Sequence, residues 1–355
     1  VNNLKEYKNP FCIRKTHLNC PLPLTLESYW ACEADCFHCL GRNLNKIWGE
    51  EQRIANPEQI CKKLTDSQRS KDPKSPLAIA LKKKKAIFLG RKADPYQSIE
   101  NQHKVTRNSV KVLIDLSWPF VICSRYISNA LRDTGLFVKT KKDCFCFLIE
   151  ITAGCESDWE IFERKRTSPI KDRLMIGKEW LRLGLNVGIR GEPFIPGYHT
   201  VSQFKDILKL IKSYGFMSYN IYNLHLNPYT AKRLLDIGLD IEKIWDANQD
   251  KKWKPVQKEL CEIADKENIN LGCPDFVNLP KNWVSNLNTC CGIDIKNAFK
   301  FNTHNWRKLL QEGLDRKTIL ETTWEGIGTK EDLKNAELIM CGKSKNHYTM
   351  KDSGL

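Results

Sequence analysis

Short apolar runs recur along the chain, separated by stretches whose apolar residues fall at helical spacing. Residues 24–31 (LTLESYWA) alternate and carry aromatics, which predicts a strand. A helix over 57–69 follows, with Asn56 or Pro57 at its start. The run 86–90 (AIFLG) suits a buried parallel strand. The alternation continues with a helix over 101–116, a strand over 120–123, a short helix over 126–134 and a strand over 145–152. A helix over 168–184 is signalled by Ser168 as cap, Pro169 in the first turn and Gly184 as terminator. A strand over 186–191, a helix over 200–214, a strand within 216–226 and a helix starting over 229–237 complete the series. Six strands separated by helices predict an α/β fold, a partial (β/α)6 TIM-like barrel over residues 23–240. Residues 1–22, with Pro10 and Pro21, read as an irregular arm. Residues 241–355 read as a C-terminal extension of mixed short elements that caps the barrel or binds substrate. In such a barrel the chemistry sits where strands end, which gathers 32–39, 90–97, 124–125, 152–156, 190–197 and 223–225 on one rim.

Composition adds partners and compartment. Lys and Arg number 57 against 42 Asp and Glu, a net charge of +15, which favours polyanionic partners and nucleic acid in particular. Runs such as Lys82 to Lys85 also fit a solvated surface. No apolar run approaches the roughly 18–20 residues of a membrane span, and the first residues lack the apolar core of an export signal. The 15 cysteines are odd in number, so a reducing cytoplasm with free, ligating or catalytic thiols is expected. Cys123, Cys144 and Cys146 lie in apolar runs and read as small buried hydrophobes.

Cys32, Cys36 and Cys39 are set apart by spacing, with three residues between the first pair and two between the second. One loop with that spacing can wrap a compact metal centre. Tetrahedral zinc takes four ligands, and His38 sits too close to Cys39 to serve comfortably as the fourth. Three local thiolates suit an iron–sulfur cube with one iron left open. A zinc loop completed by a distant Cys or His is the competing reading.

This CxxxCxxC loop after a first barrel strand resembles the radical S-adenosylmethionine (SAM) enzymes. The resemblance implies a [4Fe-4S] cluster on Cys32, Cys36 and Cys39 whose open iron chelates SAM, with His38 near the adenine. It also implies that Gly90 and Asp94 lie where the family binds the SAM ammonium. Ser124 and Arg125 would end the third strand, with Arg125 toward the methionyl carboxylate, and Arg190 would offer a second carboxylate or ribose contact. A reduced flavodoxin or ferredoxin would supply the electron. Residues 93–100 (ADPYQSIE) and 184–197 (GLNVGIRGEPFIPG) resemble the spore photoproduct lyase-like group, also called DNA repair photolyases, and the likeness spans about residues 24–225.

One departure limits what carries over. Spore photoproduct lyase has a hydrogen-donating cysteine just before the aspartate after its second strand, whereas this chain has Arg91, Lys92 and Ala93 there. Cys155, after the fourth strand, is the alternative donor, and Tyr96 is a candidate radical relay or an aromatic packed beside the SAM site. Cys273, Cys290, Cys291 and Cys341 number enough for a second metal centre, or are scattered thiols. Basic and aromatic residues interleave at 251–254, 299–301 and 304–308, a pattern that fits base stacking or amphipathic helix faces. The expected activity is radical chemistry on a nucleic acid or nucleotide-derived molecule. Modification of tRNA or protein is the alternative, and a zinc-dependent nucleic-acid-binding protein is the non-enzyme reading.

Overall fold

The computed structural model describes residues 4–13, 22, 24–39, 41, 51–152, 156–224, 226–272, 313–315 and 318. The described elements run β1 (Lys5–Tyr7), β2 (Phe11–Ile13), β3 (Leu24–Leu26), β4 (Arg53–Ala55), α1 (Pro57–Arg69), α2 (Pro76–Lys82), β5 (Ile87–Leu89), α3 (Glu100–His103), α4 (Val105–Asp115) and β6 (Phe120–Ser124). They continue through α5 (Ile127–Ala130), a 3-10 turn (Leu131–Asp133), α6 (Thr134–Phe137), β7 (Phe145–Ile151), α7 (Glu156–Phe162), α8 (Ile170–Arg182) and β8 (Val187–Phe194). Last come α9 (Val201–Ser213), β9 (Ser218–Asn223), α10 (Pro228–Leu235), α11 (Ile241–Ala247), α12 (Asp250–Lys266) and β10 (Asn270–Gly272).

One open sheet organises the molecule, in the order β10-β9-β8-β7-β6-β5-β3-β2. Every neighbouring pair is parallel except β2 on β3. The six expected strands all appear, in sequence order. The sheet does not close, so its two faces meet different neighbours.

The convex face carries Ile122, Phe147, Ile149, Ile189 and Ile221 into the helix layer. There Phe137, Phe145, Phe147 and Trp180 interlock, with Phe147 and Trp180 ring centroids 4.7 Å apart. Gly177 of α8 permits close helix–sheet approach, since a Cβ there would lie 2.3 Å from Ile149 Cδ1 and 2.6 Å from Phe216 Cζ. The concave face is lined at its base by Phe88, Val121, Cys123, Cys146 and Leu148. Above them Glu150 pairs in register with Arg190, and Arg190 with Asn220. The lumen therefore turns from apolar to charged toward the strand ends.

Helix starts follow local chemistry. Asn56 caps α1, its side-chain oxygen accepting the N–H groups of Glu58 at 2.8 Å and Gln59 at 3.2 Å. Thr200 and Gln203 form a reciprocal capping box on α9.

Four features differ from expectation. The arm contributes β1 and β2, because β2 finds a partner in the edge of β3 and β1 pairs with β4. The helix expected over 101–116 breaks at Lys104, whose φ of 54° cannot continue a right-handed helix. Ser168 does not cap α8, which begins at Ile170; its hydroxyl instead accepts the Ser128 N–H at 3.1 Å. The helix–strand pattern also runs past residue 240, where Trp253, Leu260 and Ala264 of α12 join the main core and β10 extends the sheet.

Candidate functional site

The cysteine loop leaves β3 at the rim and is held from three directions. Gln97, fully buried, accepts the Glu33 N–H at 2.9 Å and donates to the Ala31 carbonyl at 2.9 Å. Arg233 of α10 donates to the Cys36 and Asp35 carbonyls at 3.0 Å each and to the Asp35 carboxylate at 2.8 Å. The Phe37 N–H donates to the Phe162 carbonyl at 2.9 Å. Asp35 sits in the left-handed region at φ 51°. Its carboxylate meets Arg164 at 2.8 Å and Arg166 at 3.6 Å. Inside the loop the Cys39 N–H donates to the Cys36 carbonyl at 3.1 Å.

Cys36 is buried, and Cys32 and Cys39 are half-buried. Burial pushes the Cys32 and Cys36 thiols up; Asp94 and Cys39 raise Cys32 further, and Glu163, Cys39 and Cys32 raise Cys36 against the opposing charge of Arg125. Among the described residues, no three His, Cys, Asp or Glu side chains are set to hold a single metal ion.

Residues 90–97 form the adjacent part of the rim. Gly90 has φ 97°, and a Cβ there would lie 2.1 Å from the Cys123 carbonyl oxygen. Asp94 accepts from Ser124 Oγ at 2.7 Å, from the Arg125 N–H at 2.7 Å and from the Tyr96 N–H at 2.9 Å. Burial nevertheless raises its pKa to about 6. The Asp94 carboxylate thus ties the end of β5 to the end of β6. Tyr96 points into the helix-side core, its hydroxyl 3.1 Å from Asp133 and its ring against Phe137 and Phe147. That places it outside the lumen, which a radical relay would need to face. Glu100 accepts the Thr106 N–H at 2.8 Å and the Arg107 N–H at 3.0 Å, and pairs with Tyr29 and Arg132. The side chains of 94–100 therefore brace the cysteine loop and the first helices.

Arg125 is the hub of the site. It donates to Glu163 at 2.6 Å, to Glu150 at 3.1 Å and to the Glu192 carbonyl at 2.6 Å. Burial opposes its charge, but Glu150 and Glu163 hold it protonated. These bonds commit its guanidinium to protein carboxylates, where the sequence suggested a ligand carboxylate. His38 Nε2 lies 3.3 Å from Arg125 Nη2. Arg125 has only protons to offer, so Nε2 is the acceptor and the proton resides on Nδ1, which has no partner among the described residues. Burial and then Arg125 hold the imidazole neutral.

Arg190 lies on the same face of the sheet as Glu150, its partner in register. Its Nη1 lies 3.5 Å from Cys123 Sγ, it pairs with Glu192, and its guanidinium carbon is 5.5 Å from the Phe88 ring centroid. Cys155 lies outside the described residues, as do Cys273, Cys290, Cys291 and Cys341.

Several residues of the site were missed in the sequence. Glu27, just past β3, accepts the Lys92 N–H at 3.1 Å and so holds the loop after β5. Glu150 and Glu163 counter Arg125, and Asn220 lines the lumen. A polar residue in the middle or at the end of a buried strand was the available signal for Glu27, Glu150 and Asn220; for Glu163 there was none.

No protein-family model and no curated protein matches the chain. Among solved structures it is similar to a tyrosine-to-phenylalanine variant of spore photoproduct lyase at a TM-score of 0.55 and 12% identity, covering 76% of this chain and 80% of that one. A second variant, with bound AdoMet and dinucleoside spore photoproduct, matches at a TM-score of 0.52 and 11% identity over 71% of this chain and 76% of that one. Among the described residues, no helix is long and apolar enough to cross a membrane. The chain therefore carries the fold of spore photoproduct lyase, an open, mostly parallel α/β sheet flanked by helices.

Proposed function

We propose that this protein is a radical SAM enzyme that acts on a nucleic acid or a nucleotide-derived molecule. The observation that carries the reading is the three-cysteine loop at the end of the first parallel strand, braced by Gln97 and Arg233, on a fold shared with an AdoMet-binding enzyme. Cys32, Cys36 and Cys39 would hold a [4Fe-4S] cluster. The fit rests on the donor set: three thiols within eight residues of one loop, Cys36 buried and Cys32 and Cys39 half-buried, supply soft ligands for three irons of a cube and leave the fourth open. When bound, the cluster and SAM supply reductive cleavage of the sulfonium to a 5′-deoxyadenosyl radical.

The chain's own residues shape the site. Asp94 and Ser124 join the second and third strand ends, and Gly90 lets the backbone pass close beneath. Arg125 fixes the His38 tautomer, leaving the proton on Nδ1. Arg190 presents positive charge to the lumen. Cys155 is the candidate hydrogen donor, because 91–93 hold no cysteine. The net charge of +15 supports a polyanionic substrate. A cytoplasmic setting and a flavodoxin or ferredoxin electron donor complete the proposal.

The test is anaerobic reconstitution with iron and sulfide, followed by SAM and dithionite and chromatography for 5′-deoxyadenosine. The wild type should form it and Cys36→Ala should not. A colourless protein with one zinc and no 5′-deoxyadenosine would overturn the reading.

A further inference from the structure

We propose that Asn220 reads the edge of a substrate nucleobase inside the barrel lumen. The inference deepens the function proposed above and rests on its nucleotide-substrate reading. Asn220 lies on β9, in register with Arg190 of β8 on one side and Gly272 of β10 on the other. It is 4% exposed, yet among the described residues neither its Nδ2 nor its Oδ1 has a partner. A buried carboxamide with both arms unsatisfied destabilises the fold and calls for an explanation.

The surroundings supply one. Residues in register on parallel strands share a face, so Asn220 points to the same side as Arg190 and Glu150, into the lumen. Gly272, its partner on β10, contributes no side chain of its own at this position. On the other side, Arg190 spends Nη1 on Cys123 and pairs with Glu192, while its Nε also lacks a partner. Among the described residues the lumen thus presents two unpaired donor nitrogens and one unpaired acceptor on neighbouring strands.

A continuous run of polar contacts joins this place to the cysteine loop. His38 meets Arg125 at 3.3 Å, and Arg125 meets Glu150 at 3.1 Å. Cys123 lies 3.5 Å from Glu150 and 3.5 Å from Arg190. A ligand on Asn220 would therefore share the lumen with whatever the cysteine loop holds.

The chemistry of the amide selects the ligand class. An asparagine carboxamide offers a donor and an acceptor in one plane, and pairs with a flat ring bearing the complementary pair on adjacent atoms. Nucleobases carry such an edge. A single trans peptide group directs its N–H and C=O to opposite sides and cannot satisfy both arms.

The test measures equilibrium binding of the four deoxyribose homodinucleotides, and of an abasic dinucleotide, to the reconstituted full-length protein. SAM affinity is measured in parallel. Wild type should favour at least one base-bearing probe over the abasic one by about tenfold or more. Asn220→Leu should erase that preference while leaving abasic-probe affinity, SAM affinity and melting temperature undiminished. Asn220→Asp, which keeps the shape but replaces the donor, should lose the preference as well and guards against misfolding of the leucine variant. Retention of the preference in both variants would overturn the proposal, as would loss of SAM affinity with dinucleotide binding unchanged. Equal wild-type affinity for base-bearing and abasic probes would overturn this inference alone. No binding of any probe would overturn it together with the nucleotide-substrate reading, whereas formation of 5′-deoxyadenosine tests the radical chemistry separately.

Discussion

Glu163 is a buried carboxylate on which two arginines converge. It is fully buried and faces two guanidinium groups, Arg125 at 2.6 Å and Arg173, itself fully buried. Thr152 donates to it at 2.9 Å, and Thr167 completes the shell. Arg125 has Glu150 as a second carboxylate. Arg173 otherwise relies on neutral acceptors, the Ser168 and Glu150 carbonyls at 2.6 Å each and Thr167 Oγ1 at 2.6 Å. Glu163→Gln keeps the shape and removes the charge, which leaves Arg173 cationic in the interior. Breaking a buried pair by removing one partner costs about 3–5 kcal/mol. Urea unfolding at neutral pH should show that loss as a lower midpoint with an unchanged slope. Acid titration adds a second readout. Burial pushes the Glu163 carboxyl up, but Arg125 and Arg173 outweigh it and hold it well below its ordinary 4.5. A depressed folded pKa contributes stability that is full above about 4.5 and lost as pH falls from there toward the folded value. The gap between wild type and Glu163→Gln should therefore narrow as pH drops below about 4.5. A loss under about 1 kcal/mol at neutral pH, or a gap that does not narrow in acid, would refute the argument that this carboxylate neutralises Arg173.

Other substitutions probe different parts of the structure. Gly177→Ala drives a methyl into Ile149 and Phe216 and should lower stability by about 1–3 kcal/mol in thermal unfolding. Tyr219→Phe removes a buried hydroxyl that has no partner among the described residues, so the melting temperature should stay level or rise. Gln97→Leu leaves the Glu33 N–H and the Ala31 carbonyl unpaired; it should destabilise by about 1–3 kcal/mol and lower iron retained per chain after reconstitution. Asp94 works in the opposite sense to Glu163: its pKa is raised from 3.8 to about 6, so the folded state holds the proton longer and stability falls as pH rises through that window. Asp94→Asn should therefore gain relative to wild type between about pH 4 and 6, as followed by denaturant midpoints.

The sequence by itself determined the alternation of strands and helices, because apolar periodicity and end signals are local. The α1 span of 57–69 and its Asn56 cap are carried by residues close in the chain. The cysteine loop was equally legible, since its spacing is a property of eight consecutive residues. Only the tertiary structure decided what the rim residues do. Arg125 looked available to a ligand until its guanidinium was seen against Glu150 and Glu163. Tyr96 fell on the helix side of the sheet. Gln97 became a brace for the cysteine loop across 64 positions of sequence. Asn220 gained significance only when the register set it between Arg190 and Gly272 with no partner among the described residues. Electrostatic and hydrogen-bond roles depend on groups brought together from distant parts of the chain, and one-dimensional spacing does not encode that proximity.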